Sequence, residues 1–210
     1  MIFAGDSVLR EFGSTVLSMA GFAFATSASP GPVNIVSAMS GARFGAMRSF
    51  PYVFGATAGF IAILLLVGAG LGLFITRHPL VAKLLAMSGA LYMLYLAYRI
   101  AHASADHMFD GDVATPPNVV AGIIAQIVNP KAWIVSLSAI SIYVSTSKHY
   151  ATVLVVFCVI FFVICMLSLW SWSLIGASLS KRLGGIRRFN LAMAALLTLS
   201  IIFFLYDVLR

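Results

Sequence analysis

An ammonium group inside an apolar segment is the feature of this chain with the most immediate chemical consequence. Lys131 lies in Asn129-Pro130-Lys131-Ala132-Trp133, within an apolar stretch running from about residue 118 to 145. A cation at such depth is expensive unless it is paired or wet, and by default it marks a functional site. A hundred residues earlier, Ser29-Pro30-Gly31-Pro32-Val33-Asn34 interrupts another apolar stretch, from about residue 14 to 40. Proline has no backbone donor and glycine weakens a helix, so each sequence frees carbonyls that hydrocarbon cannot satisfy. Both breaks therefore belong in a cavity, away from lipid. Helices restarting after Pro32 and Pro130 would offer amide donors and positive dipole ends to an anionic group such as a carboxylate. Asn34, Gln126 and Asn129 add neutral hydrogen-bonding capacity. The candidate substrate-binding residues are accordingly Pro30, Gly31, Pro32, Asn34, Gln126, Asn129, Pro130 and Lys131. The blander alternative for Lys131 is that it snorkels to an interface or contacts carbonyls freed by Pro32 or Pro130.

Other site chemistries lack their residues. The acids are Asp6, Glu11, Asp106, Asp110, Asp112 and Asp207, each in a terminus, a loop or the end of an apolar stretch. The histidines, His78, His102, His107 and His149, also fall between the apolar stretches. A buried acid–base pair, a protease-type zinc site and a carboxylate proton relay are all unsupported, and no serine has a visible base. Asp106, Asp110, Asp112, His102 and His107 share the polar connection 101–117, but their spacing matches neither a calcium loop nor a zinc site. A solvated loop is the expectation. Cys158 and Cys165, seven apart in one apolar run, fall on one helix face and read as packing residues. No cofactor, catalytic residue or metal ligand is assigned.

The elements that must position the breaks follow from composition. Of 210 residues, 61% are hydrophobic and 9% charged, which excludes a soluble domain with a charged surface. The net charge of +7 sits mostly between apolar runs, where it sets topology and meets anionic lipid rather than nucleic acid. After a mixed leader over 1–13, read as uncleaved and interfacial, six membrane spans are expected. They cover residues 14–40, 51–75, 80–100, 118–145, 152–177 and 189–209, with Ser49 as N-cap and Pro51 in the first turn of the second. The first, at 27 residues, would reach about 40 Å against a hydrocarbon core of about 30 Å, which suits a broken or tilted helix. Gly55 with Gly59, and Gly68 with Gly72, are spaced for close helix approach in lipid. Tyr92, Tyr95 and Tyr98 read as an interfacial belt. Counting Lys and Arg on alternate sides gives seven against five, with Lys131 inside a span, which places both termini outside the cytoplasm. Three spans in each half require the halves to enter from opposite faces. The expected fold is thus an all-α, six-helix 3+3 inverted repeat with broken helices 1 and 4, comprising a first repeat over 14–100, a polar loop over 101–117 and a second repeat over 118–209.

Four features taken together resemble the lysine-exporter (LysE/RhtB) family of bacterial amino-acid efflux proteins. They are Ser29-Pro30-Gly31-Pro32, the turn Gly41-x-x-x-Gly45 with Arg43, the glycine series of the second span, and Asn129-Pro130-Lys131. The resemblance covers essentially the whole chain. It implies a multi-pass inner-membrane exporter whose partners are an amino-acid substrate, protons and membrane lipids, and it leaves homo-oligomerisation open. One departure bears on coupling. Several members carry a polar or ionisable residue four positions after the Gly-x-x-x-Gly pair of the second span, where this chain has Ile63. The absence of acids at depth favours small neutral amino acids or related metabolites over cationic ones. An ion exporter of the same superfamily, an intramembrane enzyme and a non-transporting membrane subunit are the competing readings. The first would need Asp, Glu or His at depth, and the second a nucleophile with its base.

Overall fold

In a computed structural model of the protein, residues 2–71, 116–145 and 147–182 are described, together with isolated positions between 74 and 91 and between 191 and 202. Among these residues all regular structure is helical. The helices are α1 (Ile2–Ala28), α2 (Pro32–Phe44), α3 (Ala46–Leu66), α4 (Val119–Ile127), α5 (Pro130–Ala139) and α6 (Tyr150–Arg182). A π-helical turn extends α3 over Val67–Leu71 and another extends α5 over Ile140–Val144.

Local sequence explains most of the boundaries. Pro32 and Pro130 each occupy a first helical position, where the missing N–H is one that no helix would use. Asn129 caps α5 by accepting from the Lys131 amide at 3.2 Å, and Asn118 caps α4 by accepting from the Ala121 amide at 2.9 Å. Gly45, at φ +83°, lets the chain turn directly from α2 into α3 in a region that residues with a Cβ avoid.

Two expected starting points are displaced. The leader is not separate from the first span, since α1 is already helical at Ile2 and runs unbroken to Ala28. Helix α3 begins at Ala46 rather than at Pro51, which lies inside it. Ser49 is therefore not an N-cap; its hydroxyl bonds back to the Gly45 carbonyl at 3.0 Å and meets Ser40 Oγ at 2.7 Å. Pro51 deprives the Met47 carbonyl of a helical donor, and both residues are on the exposed face, where that loss is mildest.

Two continuous helical stretches are long and apolar enough to cross a membrane, Ala46–Leu71 with 26 residues and Tyr150–Leu179 with 30. The pair Val119–Ile127 and Pro130–Val144 passes the same criterion as a unit bent by 70°. The protein is thus an integral membrane protein on both composition and helix length.

Close backbone approach holds these helices together. A Cβ on Gly41 would strike the backbone of Ser173 and one on Gly176 the backbone of Ala38, so α2 and α6 touch main chain to main chain. Gly55 and Gly122 do the same for α3 and α4, against Val119 and Tyr52 respectively. Such contacts substitute for the hydrophobic drive that lipid removes. Cys158 and Cys165 are both buried and free, in keeping with a packing role. The third and sixth spans, the 101–117 loop and the tyrosine belt fall largely or wholly outside the described residues.

Candidate functional site

Where α1 stops, four successive carbonyls lose their helical partners, and each is taken by a side-chain donor. Pro30 and Pro32 have no N–H to offer the carbonyls four residues back, those of Thr26 and Ala28. Ser29 Oγ donates to Thr26 O at 3.1 Å, and Trp172 Nε1 of α6 donates to Ala28 O at 3.2 Å. Between them, Asn34 Nδ2 of α2 donates to Ser27 O at 2.7 Å. The last carbonyl, that of Ser29, accepts from Lys131 Nζ of α5 at 3.0 Å, and the same ammonium donates to Ser29 Oγ at 2.8 Å. Donors from α2, α5 and α6 thereby converge on one helix end, whose partial negative charge favours the cation.

The second break is satisfied by the same means. Trp133 Nε1 donates to Ile127 O at 2.8 Å, the Asn129 amide donates to Gln126 O at 3.1 Å, and Asn129 Nδ2 donates to Gln126 Oε1 at 3.2 Å. Both ends of the Asn129 carboxamide are engaged, its oxygen on the α5 amide and its nitrogen on Gln126. Helix α2 differs at its start, because Gly31 has no side chain with which to cap it. The uncapped amide end lies beside Lys131, since a Cβ on Gly31 would be 3.3 Å from both Nζ and Cδ of that lysine.

A cavity of about 30 Å³ lies between the breaks. Thr26, Ser27, Asn34, Gln126, Asn129 and Lys131 form its polar wall, and Phe60, Phe161, Cys165 and Leu169 much of its apolar wall. Phe60 and Phe161 stack with centroids 4.2 Å apart and planes 14° from parallel. The volume holds about two water molecules and no amino acid, so any organic ligand requires a wider conformation of the same walls.

Of the residues expected at the site, Asn34, Gln126, Asn129 and Lys131 share this cavity. The other four do not line it. Gly31 lies beside Lys131, Pro32 and Pro130 open the restarting helices, and Pro30 is exposed on the connecting turn. Lys131 donates to the Ser29 carbonyl at the first break, which is neither of the carbonyls, Ala28 and Gln126, that Pro32 and Pro130 deprive of a helical donor. Ser27, Ser29 and Trp172 were not singled out as site residues. The positions of Pro30 and Pro32 identify two carbonyls in need of donors, but nothing local points to Trp172, which is 144 residues from its acceptor.

No solved structure matches the chain. The cysteine/O-acetylserine efflux proteins of Escherichia coli strain K12 and of Shigella flexneri serotype 5b are each 32% identical to it over 120 residues. That alignment takes in 57% of this chain and 60% of each relative, so only part of their length is matched. A protein of the same description from Escherichia coli O1:K1 is 31% identical over an equal length. The family model described as LysE type translocator matches residues 24–208, which include both helix breaks and the cavity between them, and the chain belongs to that family.

Proposed function

We propose that the protein is a secondary transporter that exports small neutral amino acids or related metabolites across a bacterial inner membrane. The observation that carries this reading is the meeting of the two breaks, where Lys131 of α5 reaches Ser29 beyond the end of α1. Discontinuous helices facing each other across a small polar cavity supply both kinds of group that a zwitterion needs. Amide ends and an ammonium suit the carboxylate, and helix-end carbonyls suit the α-ammonium. The names of the efflux relatives point in the same direction, towards cysteine and O-acetylserine.

In this reading six spans form two inverted three-helix repeats, 14–100 and 118–209, joined by the 101–117 loop, with both termini on the periplasmic side. The Phe60–Phe161 stack supports it, since an in-plane pseudo-twofold axis brings into contact those equivalent positions that lie beside the axis. Pro30 and Pro130 are 100 positions apart, and Phe60 and Phe161 are 101. The proton gradient is the proposed driving force. Ile63 is buried in the apolar core and has no ionisable group, so it carries no proton. Coupling would use a residue at a span end or the substrate itself.

Inside-out membrane vesicles provide the test. Radiolabelled L-cysteine, O-acetyl-L-serine, L-threonine, L-homoserine and L-leucine are offered with a proton gradient and after its collapse by an uncoupler. Uptake of at least one above vesicles lacking the protein, reduced by the uncoupler, is expected. Equal uptake with and without the protein for all five would reject the reading.

Gly31→Ala isolates the contribution of local geometry. The backbone at position 31 is extended, at φ −164°, so alanine is conformationally acceptable there. Its Cβ would nonetheless crowd Lys131, whose flexible end can give way at a stability cost of about 1 kcal/mol. Transport is expected to fall at least ~5-fold with little change in thermal unfolding. Wild-type rates would show that the Gly31–Lys131 contact has no bearing on the site.

A further inference from the structure

We propose that the carbonyl and hydroxyl of Ser29 are the α-ammonium subsite of the transported amino acid, that Lys131 occupies this subsite in the conformation described, and that substrate displaces the lysine, which then turns to the substrate's carboxylate. The proposal deepens the amino-acid reading above and rests on it.

The four carbonyls at the end of α1 are not held equally. Three are bonded by donors that are neutral and short-tethered or rigid, namely Ser29 Oγ, Asn34 Nδ2 and the Trp172 ring. The fourth is held by an ammonium on a four-carbon stem, which can leave and return without moving a helix. A lysine ammonium and an amino-acid α-ammonium are the same chemical group, each with three donors and a preference for carbonyl and hydroxyl acceptors. Among the described residues both hydrogen bonds of the Lys131 ammonium go to Ser29, so one residue offers two acceptors to such a cation. The uncapped start of α2 lies next to the lysine and suits a carboxylate.

An exchange of this kind conserves both charge and hydrogen bonds. A zwitterion adds no net charge to the cavity. Its ammonium replaces the lysine on Ser29, while its carboxylate pairs with the lysine and with the α2 amides. A cation without a carboxylate would instead bring two ammonium groups together with nothing to separate them. An anion without an ammonium would draw the lysine away and leave the Ser29 carbonyl without a donor. Lys131 itself lines the cavity, so its movement off Ser29 changes the shape of the space in which substrate would sit.

The experiment measures thermal unfolding of the purified full-length protein in detergent, wild type and Lys131→Ala, with ethylammonium chloride, L-serinamide or O-acetyl-L-serine. The two amines carry an ammonium and no carboxylate. They are expected to stabilise Lys131→Ala at concentrations at least tenfold lower than any that affect the wild type, whereas O-acetyl-L-serine stabilises the wild type. No greater response of Lys131→Ala than of wild type to either amine would overturn the subsite. Should that variant not fold, the wild type labelled with ¹³Cε-lysine still decides, its Lys131 signal assigned by comparison with Lys131→Arg. The signal is expected to move on addition of O-acetyl-L-serine; a bound amino acid that leaves it in place overturns the displacement. Amines that act on Lys131→Ala, in a protein whose wild type responds to none of the five amino acids of the vesicle assay, would uphold Ser29 as an ammonium site and reject the amino-acid reading.

Discussion

Replacing Lys131 by methionine is expected to lower transport at least ~100-fold while leaving a protein that inserts and folds. The side chains are close in length and apolar bulk, so the packing of the stem survives and the ammonium alone is removed. Two kinds of interaction disappear with it. The Ser29 carbonyl loses its donor, which costs about 1–3 kcal/mol of stability, tolerable for a helix end whose other three carbonyls keep their partners. The substrate carboxylate loses its counter-charge, and truncating one partner of a buried charge pair costs about 2–5 kcal/mol. The middle of that range corresponds to a factor of several hundred in rate or affinity. Lys131→Arg keeps the charge and should retain measurable transport, although a planar guanidinium does not reproduce the approach of an ammonium to two acceptors on one residue. Vesicle uptake measured beside thermal unfolding separates the two losses. Normal uptake by Lys131→Met would remove the lysine from the transport site.

Part of the polar wall of the cavity was legible because its signals are local and costly. A lysine in an apolar run and prolines in mid-span each require compensation nearby, and Asn34, Gln126 and Asn129 lie within a few residues of a proline, where such compensation is found. The structure brings those three and Lys131 to one cavity. The identity of each donor–acceptor pair was not legible, because the pairs are tertiary. Trp172 reads as one more apolar residue of a long span until its ring nitrogen is seen at the Ala28 carbonyl. The start of α3 was misplaced for a related reason. A serine two residues before a proline is a strong local start signal, but Gly45, at a φ open to few other residues, lets the helix begin earlier, with its proline on the exposed side. Of the glycines spaced by four in the second span, Gly55 and Gly59 are contact points with α4, since nothing but a missing Cβ permits the approach of Gly55 to the Val119 backbone, while Gly72 lies outside the described residues.

Substrate charge should follow from what the cavity wall lacks. Its polar groups are hydroxyls, carboxamides and one ammonium, and the sequence places no Asp or Glu between residues 12 and 105 or between 113 and 206. A lysine or arginine ligand would bring a second cation into a space that already holds Lys131. At about 4 Å two like charges repel by about 4 kcal/mol where the effective dielectric constant is near 20, and loss of hydration adds several kcal/mol more for a cation without a partner. The α-ammonium avoids this penalty because its own carboxylate accompanies it and helix-end carbonyls can accept its hydrogens. Neutral amino acids of the cysteine, threonine, homoserine or leucine kind, or an anionic relative, are therefore expected to compete for uptake at least ~10-fold better than lysine or arginine. Competition against the best labelled substrate in inside-out vesicles measures this directly. Should lysine or arginine compete tenfold better than every neutral amino acid tested, a cation-accepting group would have to exist where the sequence has none, and the electrostatic account of the cavity would fail.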